Sequence, residues 1–338
     1  MVATDPVLVY LHGVGGVRPG WAEHLLVDQQ IEHRIDRVRI VAPSYASILA
    51  AEFDDTEFDD TEFDDTEFDD TEFDDTEFDD TEFDDTEFDI VDGDGEGYAV
   101  DAESTARYRT RQRELAARVA QCSDVVPAGL AWPSLLPRPG RWPIAGFLDS
   151  PARFIGGLDQ ARRYVRDPRL RDRVLAQVRS SLSVLPDSQS GPLVLIGHSL
   201  GAVVALDLLA ELDRPVDLLV TVGAPLGHPD ISQRLVTRGI DLARLGSWLN
   251  VVHLLDPVPL GHGAGAMFPA ATDAFLPVLA GGHGLGGFAR GLTRAATAHL
   301  DSTYLSSEVV RTIVAQALAA PGADLWPTPQ EQRPSSTR

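Results

Sequence analysis

Leu193-Val194-Leu195-Ile196-Gly197-His198-Ser199-Leu200-Gly201 is the stretch on which the reading of this chain turns. Four apolar, β-favouring residues run without alternation, as in a strand buried on both faces. From Leu200 to Leu212 the pattern reads as a helix. Between the two, Gly197 to Gly201 fits G-x-S-x-G, and strand, sharp turn and helix are the setting that such a motif needs to act as a nucleophile elbow. The turn holds Ser199 in a strained conformation with its hydroxyl projecting from the sheet. A Cβ on either side would collide, and Gly197 and Gly201 leave that space empty. The helix also turns its positive end and free N–H groups toward the place where an oxyanion would develop.

Working outward, Val7 to Leu11 is a short buried strand that ends in His12-Gly13-Val14-Gly15-Gly16. The backbone N–H of Val14 is the expected second oxyanion donor beside that of Leu200, with His12 and Gly13 supporting the turn. The plainer alternative is an ordinary Gly-rich turn. A phosphate-binding P-loop is excluded, because all 28 basic residues are Arg and none is Lys.

The α/β sheets that carry such an elbow order their residues as nucleophile, acid, histidine. Asp256 follows the apolar run Leu249 to Leu255 and is trailed by Pro257-Val258-Pro259, which places it at a carboxyl end of the sheet. Asp230 and Asp273 are the other candidates. His299 precedes the last helical pattern. His262 and His283 compete with it from a Gly-rich stretch, 261–291, that reads as a mobile loop and is poorly suited to holding a base. His198, beside the nucleophile, reads as a packing residue.

Other strands are expected at Val38 to Val41 and Val216 to Val222, with helices over Ala102 to Gln121, Leu170 to Leu185 and Ile231 to Leu245. Apolar positions between Ala102 and Gln121 are too sparse for a deep core helix. The alternation of strands and helices argues for a mostly parallel sheet with helices on both faces.

Composition needs one correction before use. From Glu52 to Asp89 the sequence repeats Glu-Phe-Asp-Asp-Thr seven times and adds Glu-Phe-Asp, which carries 23 negative charges. The net charge of -24 therefore leaves -1 for everything else, and the acidity says nothing about a substrate. Phe recurs every fifth residue, so successive rings wander about 140° around a helix and alternate between the faces of a strand. With no apolar face to bury, the repeat is expected to be a disordered acidic insertion, the alternative being a binding segment for a protein partner or cation. Just after it, Asp92, Asp94, Glu96 and Glu103 match several Ca²⁺-loop positions, but the sequence before them supplies no EF-hand helix, and a solvated turn is the simpler reading.

Residues 124–168 hold several aromatic residues and prolines and read either as a cap over the site or as a packed loop. The organisation expected is one domain over 1–320, with 52–89 inserted, and a flexible tail over 321–338. A single cysteine, Cys122, gives no intrachain disulfide and no Cys-rich metal site. No secretion signal or membrane-length apolar run is visible, so a cytoplasmic protein without an integral membrane segment is expected.

These residues resemble the α/β-hydrolase superfamily, and within it bacterial serine esterases and lipase-like proteins. The likeness rests on His12-Gly13, on Gly197 to Gly201, on Thr221-Val222-Gly223-Ala224-Pro225-Leu226-Gly227, on Trp248 to Val251 leading to Asp256-Pro257-Val258, and on His299 with Tyr304-Leu305. The resemblance implies an α/β-hydrolase fold that cleaves small-molecule or lipid carboxylic esters through an acyl-enzyme, with no cofactor, no metal and no nucleic-acid partner. Ser199, Asp256 and His299 would form the triad. An acyltransferase using the same three residues, or a non-catalytic interaction protein using its acidic repeat, are the rival readings.

Overall fold

Runs of Val, Leu and Ile with almost no polar interruption have nowhere to go but between two layers of helices. The computed structural model describes residues 5–26, 38–50, 102–125, 160–183, 191–227, 229–238, 244–256, 258–259, 263–265, 267–268, 270–277 and 298–319. Among these, six strands make one sheet: β1 (Val7–Leu11), β2 (Arg39–Val41), β3 (Leu193–His198), β4 (Val216–Val222), β5 (Leu245–His253) and β6 (Thr272–Leu276). Their spatial order is β2-β1-β3-β4-β5-β6, and every neighbouring pair is parallel.

That order has a consequence for function. The chain steps from β1 outward to β2, then returns to place β3 on the other side of β1. The crevice beyond the carboxyl ends of β1 and β3 is thus the switch point at which open α/β sheets bind their ligands. The register pairs Leu11 with Gly197 and His198 with Val222, so the turns after β1, β3 and β4 emerge side by side.

Alternation along each strand feeds two cores. Val7, Val9 and Leu11 face one side with Leu193 and Leu195, packed under α2 (Ala46–Ala50), α4 (Pro168–Leu182), α5 (Leu200–Leu209) and α6 (Pro229–Arg238). Leu8, Tyr10, Val194 and Ile196 face the other, under α1 (Trp21–Leu26), α7 (Asp301–Leu305) and α8 (Glu308–Ala319). All ten residues of α5 are buried. Each fully buried Val or Leu stabilises this core by about 1.5–3 kcal/mol.

Local signals set several helix ends. Asp167 caps α4 by accepting from the Arg169 N–H at 2.8 Å, with Pro168 in the first turn, where its missing N–H costs nothing. Asp124 accepts from the N–H groups of Glu308 (2.6 Å) and Val309 (3.1 Å) at the start of α8.

The structure departs from the sequence reading in two places. The helix expected to reach Leu245 ends at Arg238, and Leu245 already opens β5. The expected strand began only at Leu249; Ser247, ahead of it, is buried like Asn250, and Asn250 accepts from Thr221 Oγ1 at 2.8 Å. The Gly-rich stretch read as a mobile loop contains β6, which takes its ladder from β5 rather than from a strong apolar pattern of its own. The sheet is wholly parallel across the described strands, in keeping with the mostly parallel sheet expected. α3 (Ala102–Val119) keeps most of its described side chains at least partly exposed, in line with its sparse apolar positions. Tyr108, Leu115 and Val119 are spaced by seven and four residues, fall on one stripe and are buried, and the helix packs against β5 and β6.

The repeat over 52–89, Asp92, Asp94, Glu96, residues 126–159 of the candidate cap and the tail over 321–338 lie outside the described residues. The backbone of Glu103 belongs to α3, but its side chain also lies outside them. Among the described residues no helix is long and apolar enough to cross a membrane.

Candidate active site

Ser199 sits between β3 and α5 with φ 55° and ψ −125°, and among the described residues it is the one non-glycine at positive φ. Holding such a backbone costs about 1–3 kcal/mol and needs a surround that forbids relaxation. That surround is visible. The Ser199 N–H donates to Val222 O at 3.0 Å, and the Ala202 N–H donates to Ser199 O at 3.0 Å. A Cβ at position 197 would lie 2.5 Å from Ala202 Cα, and one at position 201 only 2.0 Å from Leu11 O. Both glycines are therefore demanded by close backbone approach, as the sequence motif requires.

The turn after β1 closes on the same point. A Cβ at Gly13 would stand 2.8 Å from Ser199 Cβ, so His12-Gly13-Val14 lies directly against the serine. His12 is buried, stacks on Tyr45 with ring centroids 4.0 Å apart, and donates from Nδ1 to Gly13 O at 2.6 Å. Burial holds its imidazole below the ordinary histidine range, so it supports the turn as a neutral ring.

From the opposite side come the other two expected residues. Ser199 Oγ is 3.0 Å from His299 Nε2, and His299 Nδ1 lies 2.9 Å from Asp256 Oδ2 and 3.1 Å from Oδ1. Asp256 is 2% exposed, directly beyond β5, and its Oδ1 accepts the Val258 N–H at 2.9 Å. His299 leads into α7. The side chains of Ser199, His299 and Asp256 thus form one continuous hydrogen-bonded relay in which Nδ1–H donates to the carboxylate and Nε2 is left to accept from the hydroxyl.

His198 was expected to support the elbow by packing; the hydrogen bonds that build the rest of the wall were not read from the sequence. His198 donates from Nε2 to His299 O at 2.8 Å, tying the backbone of the histidine to the end of β3. Burial, then the neighbouring His299, pushes the His198 imidazole down to about 4, which keeps it a neutral donor. Asp301 fixes the far side of that segment by accepting from Tyr10 Oη at 3.1 Å and from the Ser302 N–H at 2.8 Å. Tyr304 Oη donates to Asp256 Oδ2 at 2.5 Å. Gly223, at φ +56°, makes room for this contact: a Cβ there would meet Asp256 Oδ2 and Tyr304 Cε2, each at 2.9 Å. The one sequence sign of it was a Gly directly after an apolar strand.

The competing candidates fall elsewhere. Asp273 accepts from the Ala264 N–H (2.8 Å), the Gly265 N–H (2.9 Å) and Asn250 Nδ2 (2.8 Å), which closes a turn beside β6. The Asp230 side chain, His262 and His283 lie outside the described residues. Among the described residues no group of three His, Cys, Asp or Glu side chains is placed to hold a metal ion. A cavity of about 700 Å³ lined by Arg166, Arg171, Arg234 and Arg238 with Asp172 and Glu211 shares no residue with the relay.

Comparison of the chain with protein-family models, with curated proteins and with solved structures returns no match. A functional reading therefore rests on the geometry of these residues and on the sheet that positions them.

Proposed function

We propose that this protein is a serine hydrolase of the α/β-hydrolase type, which cleaves carboxylic esters through an acyl-enzyme on Ser199. The observation that carries the reading is the unbroken relay from Ser199 Oγ through His299 to Asp256, 3.0 and 2.9 Å per step, with the serine held at positive φ at the sheet's switch point.

The chemistry follows from the partners of each atom. Ser199 Oγ attacks the ester carbonyl as His299 Nε2 takes its proton, and Asp256 stabilises the imidazolium so formed. The N–H groups of Val14 and Leu200 are the donors assigned to the oxyanion, the second at the positive end of α5. His299 returns the proton to the departing alcohol. It then takes a proton from water, which attacks the acyl carbon, and the carboxylic acid leaves as Ser199 recovers its hydrogen. Neither step draws on a metal or an organic cofactor. None of the relay residues falls within 52–89, so deletion of that segment is expected to leave hydrolysis intact.

Fluorophosphonate labelling of the wild type and of Ser199→Ala tests the assignment without knowledge of the substrate. Labelling of the wild type alone is expected, with p-nitrophenyl esters of increasing acyl length then defining the preferred chain. Equal labelling of both proteins, or none of either, would overturn it.

A further inference from the structure

We propose that Tyr304 is a positioning residue of this same relay, its hydroxyl holding the Asp256 carboxylate against His299 so that the imidazole can take the Ser199 proton. The inference rests on the ester-hydrolase reading above and is read out in the pH profile of that chemistry.

Tyr304 is fully buried in α7. Its O–H donates to Asp256 Oδ2 at 2.5 Å, within the short range of a charge-assisted bond, and its oxygen accepts the His253 N–H at 3.1 Å. The same Oδ2 accepts His299 Nδ1–H at 2.9 Å. Phenol and imidazole therefore share one carboxylate oxygen. A donor that draws charge from that oxygen changes its pull on the imidazolium that forms as Ser199 attacks, and it fixes the carboxylate to which Nδ1–H points. Positive φ at Gly223 leaves the space in which the carboxylate and the phenol ring meet, so the contact is built by the backbone as well as by the side chains.

The other titratable groups facing this cluster are His198 from the end of β3, His253 from the end of β5 and Asp301 from the start of α7. Burial holds both histidines below their ordinary range, with His198 down to about 4. Burial first, and then Asp256, hold the Tyr304 hydroxyl well above the ordinary phenol range, so it stays a donor throughout the range of an assay.

The test is the pH dependence, from about pH 5 to about pH 9, of the rate at which a fluorophosphonate modifies Ser199. It compares the wild type, Tyr304→Phe and a protein with 3-fluorotyrosine at position 304. Tyr304→Phe is expected to move the acid limb of the profile up by about half a pH unit. The fluorinated phenol keeps the packing and is a stronger donor, and it is expected to move the same limb down by a few tenths of a unit. If Tyr304→Phe does not fold, the fluorotyrosine protein decides alone. A limb that stays in place in the folded variants, with the rate lowered equally at every pH or not at all, overturns the assignment and assigns Tyr304 to packing. A wild type that shows no Ser199-dependent modification at any pH overturns the hydrolase reading, and this inference with it.

Discussion

Two buried carboxylates, Asp207 and Asp256, stand at 0% and 2% exposure and are both fully hydrogen-bonded, yet their donors differ in kind. Asp207, within α5, accepts from Arg234 at 2.9 Å on each oxygen and from Arg238 at 2.7 Å. These guanidiniums are charged at every accessible pH, so the carboxylate's charge is already met. Among the described residues no guanidinium stands beside Asp256. Its donors are a phenol, a backbone amide and the Nδ1–H of a histidine. Its field is left to favour a proton arriving on the far side of that imidazole. One acid locks α6 to α5; the other, in the proposed hydrolase, stabilises charge that appears only during the reaction.

The contrast is broken most directly at the imidazole. His299→Ala is expected to lower kcat on a p-nitrophenyl ester on the order of 10⁶-fold, as removal of the base does in serine hydrolases. Asp256→Asn keeps the shape but presents the wrong donor to Nδ1, and a loss of about 10⁴-fold is expected with little change in the thermal midpoint. Removing the other carboxylate should invert that pattern. Asp207→Ala strands two guanidiniums that are 19% and 31% exposed. A loss of about 2–3 kcal/mol is expected, below the value for a fully buried pair because water reaches both arginines. Calorimetry should show the midpoint lower by roughly 3–6 °C, with kcat/KM of the folded protein unchanged. If Asp207→Ala instead abolished turnover in a folded protein, the two acids would not have separate jobs.

Much of this was legible from the chain, and what was missed has a physical pattern. Strands β1 and β3 announce themselves because a parallel strand covered on both faces is an uninterrupted apolar run, and β4 departs from that only at Asp217 and Thr221. Ser199, Asp256 and His299 were reachable because each directly follows a strand or precedes a helix, and the order of strands brings those ends together. The start of β5 was missed because Ser247, a buried polar residue, breaks the apolar pattern ahead of Leu249. His198 was read as a packing residue, but its partner, like that of Tyr304, lay out of reach of a local reading. A Tyr that donates to a carboxylate 48 residues earlier, and a His that donates to a carbonyl 101 residues later, leave no local pattern.

The smallest expected effect separates the two ends of the molecule by pH. His12, His198 and His253 are all held below the ordinary histidine value of 6.5 by burial, with His198 down to about 4. The unfolded chain takes up protons at these positions as pH falls through 6.5, while the folded protein refuses them, so stability declines between about pH 6.5 and about pH 4. The Asp207 clamp adds nothing to that slope from its guanidiniums, which carry charge throughout. His198 keeps some contact with water, and its share is on the order of 2 kcal/mol across the window. Thermal midpoints measured from pH 7.5 to 4.5 should fall for the wild type and fall less for His198→Asn. The difference between the two proteins isolates His198 from Asp124 and Asp217, whose carboxyls burial pushes up and which favour the folded state as pH drops. Midpoints that fall in parallel would show that the imidazole beside His299 is not held neutral by the fold, and that the wall of the relay carries charge after all.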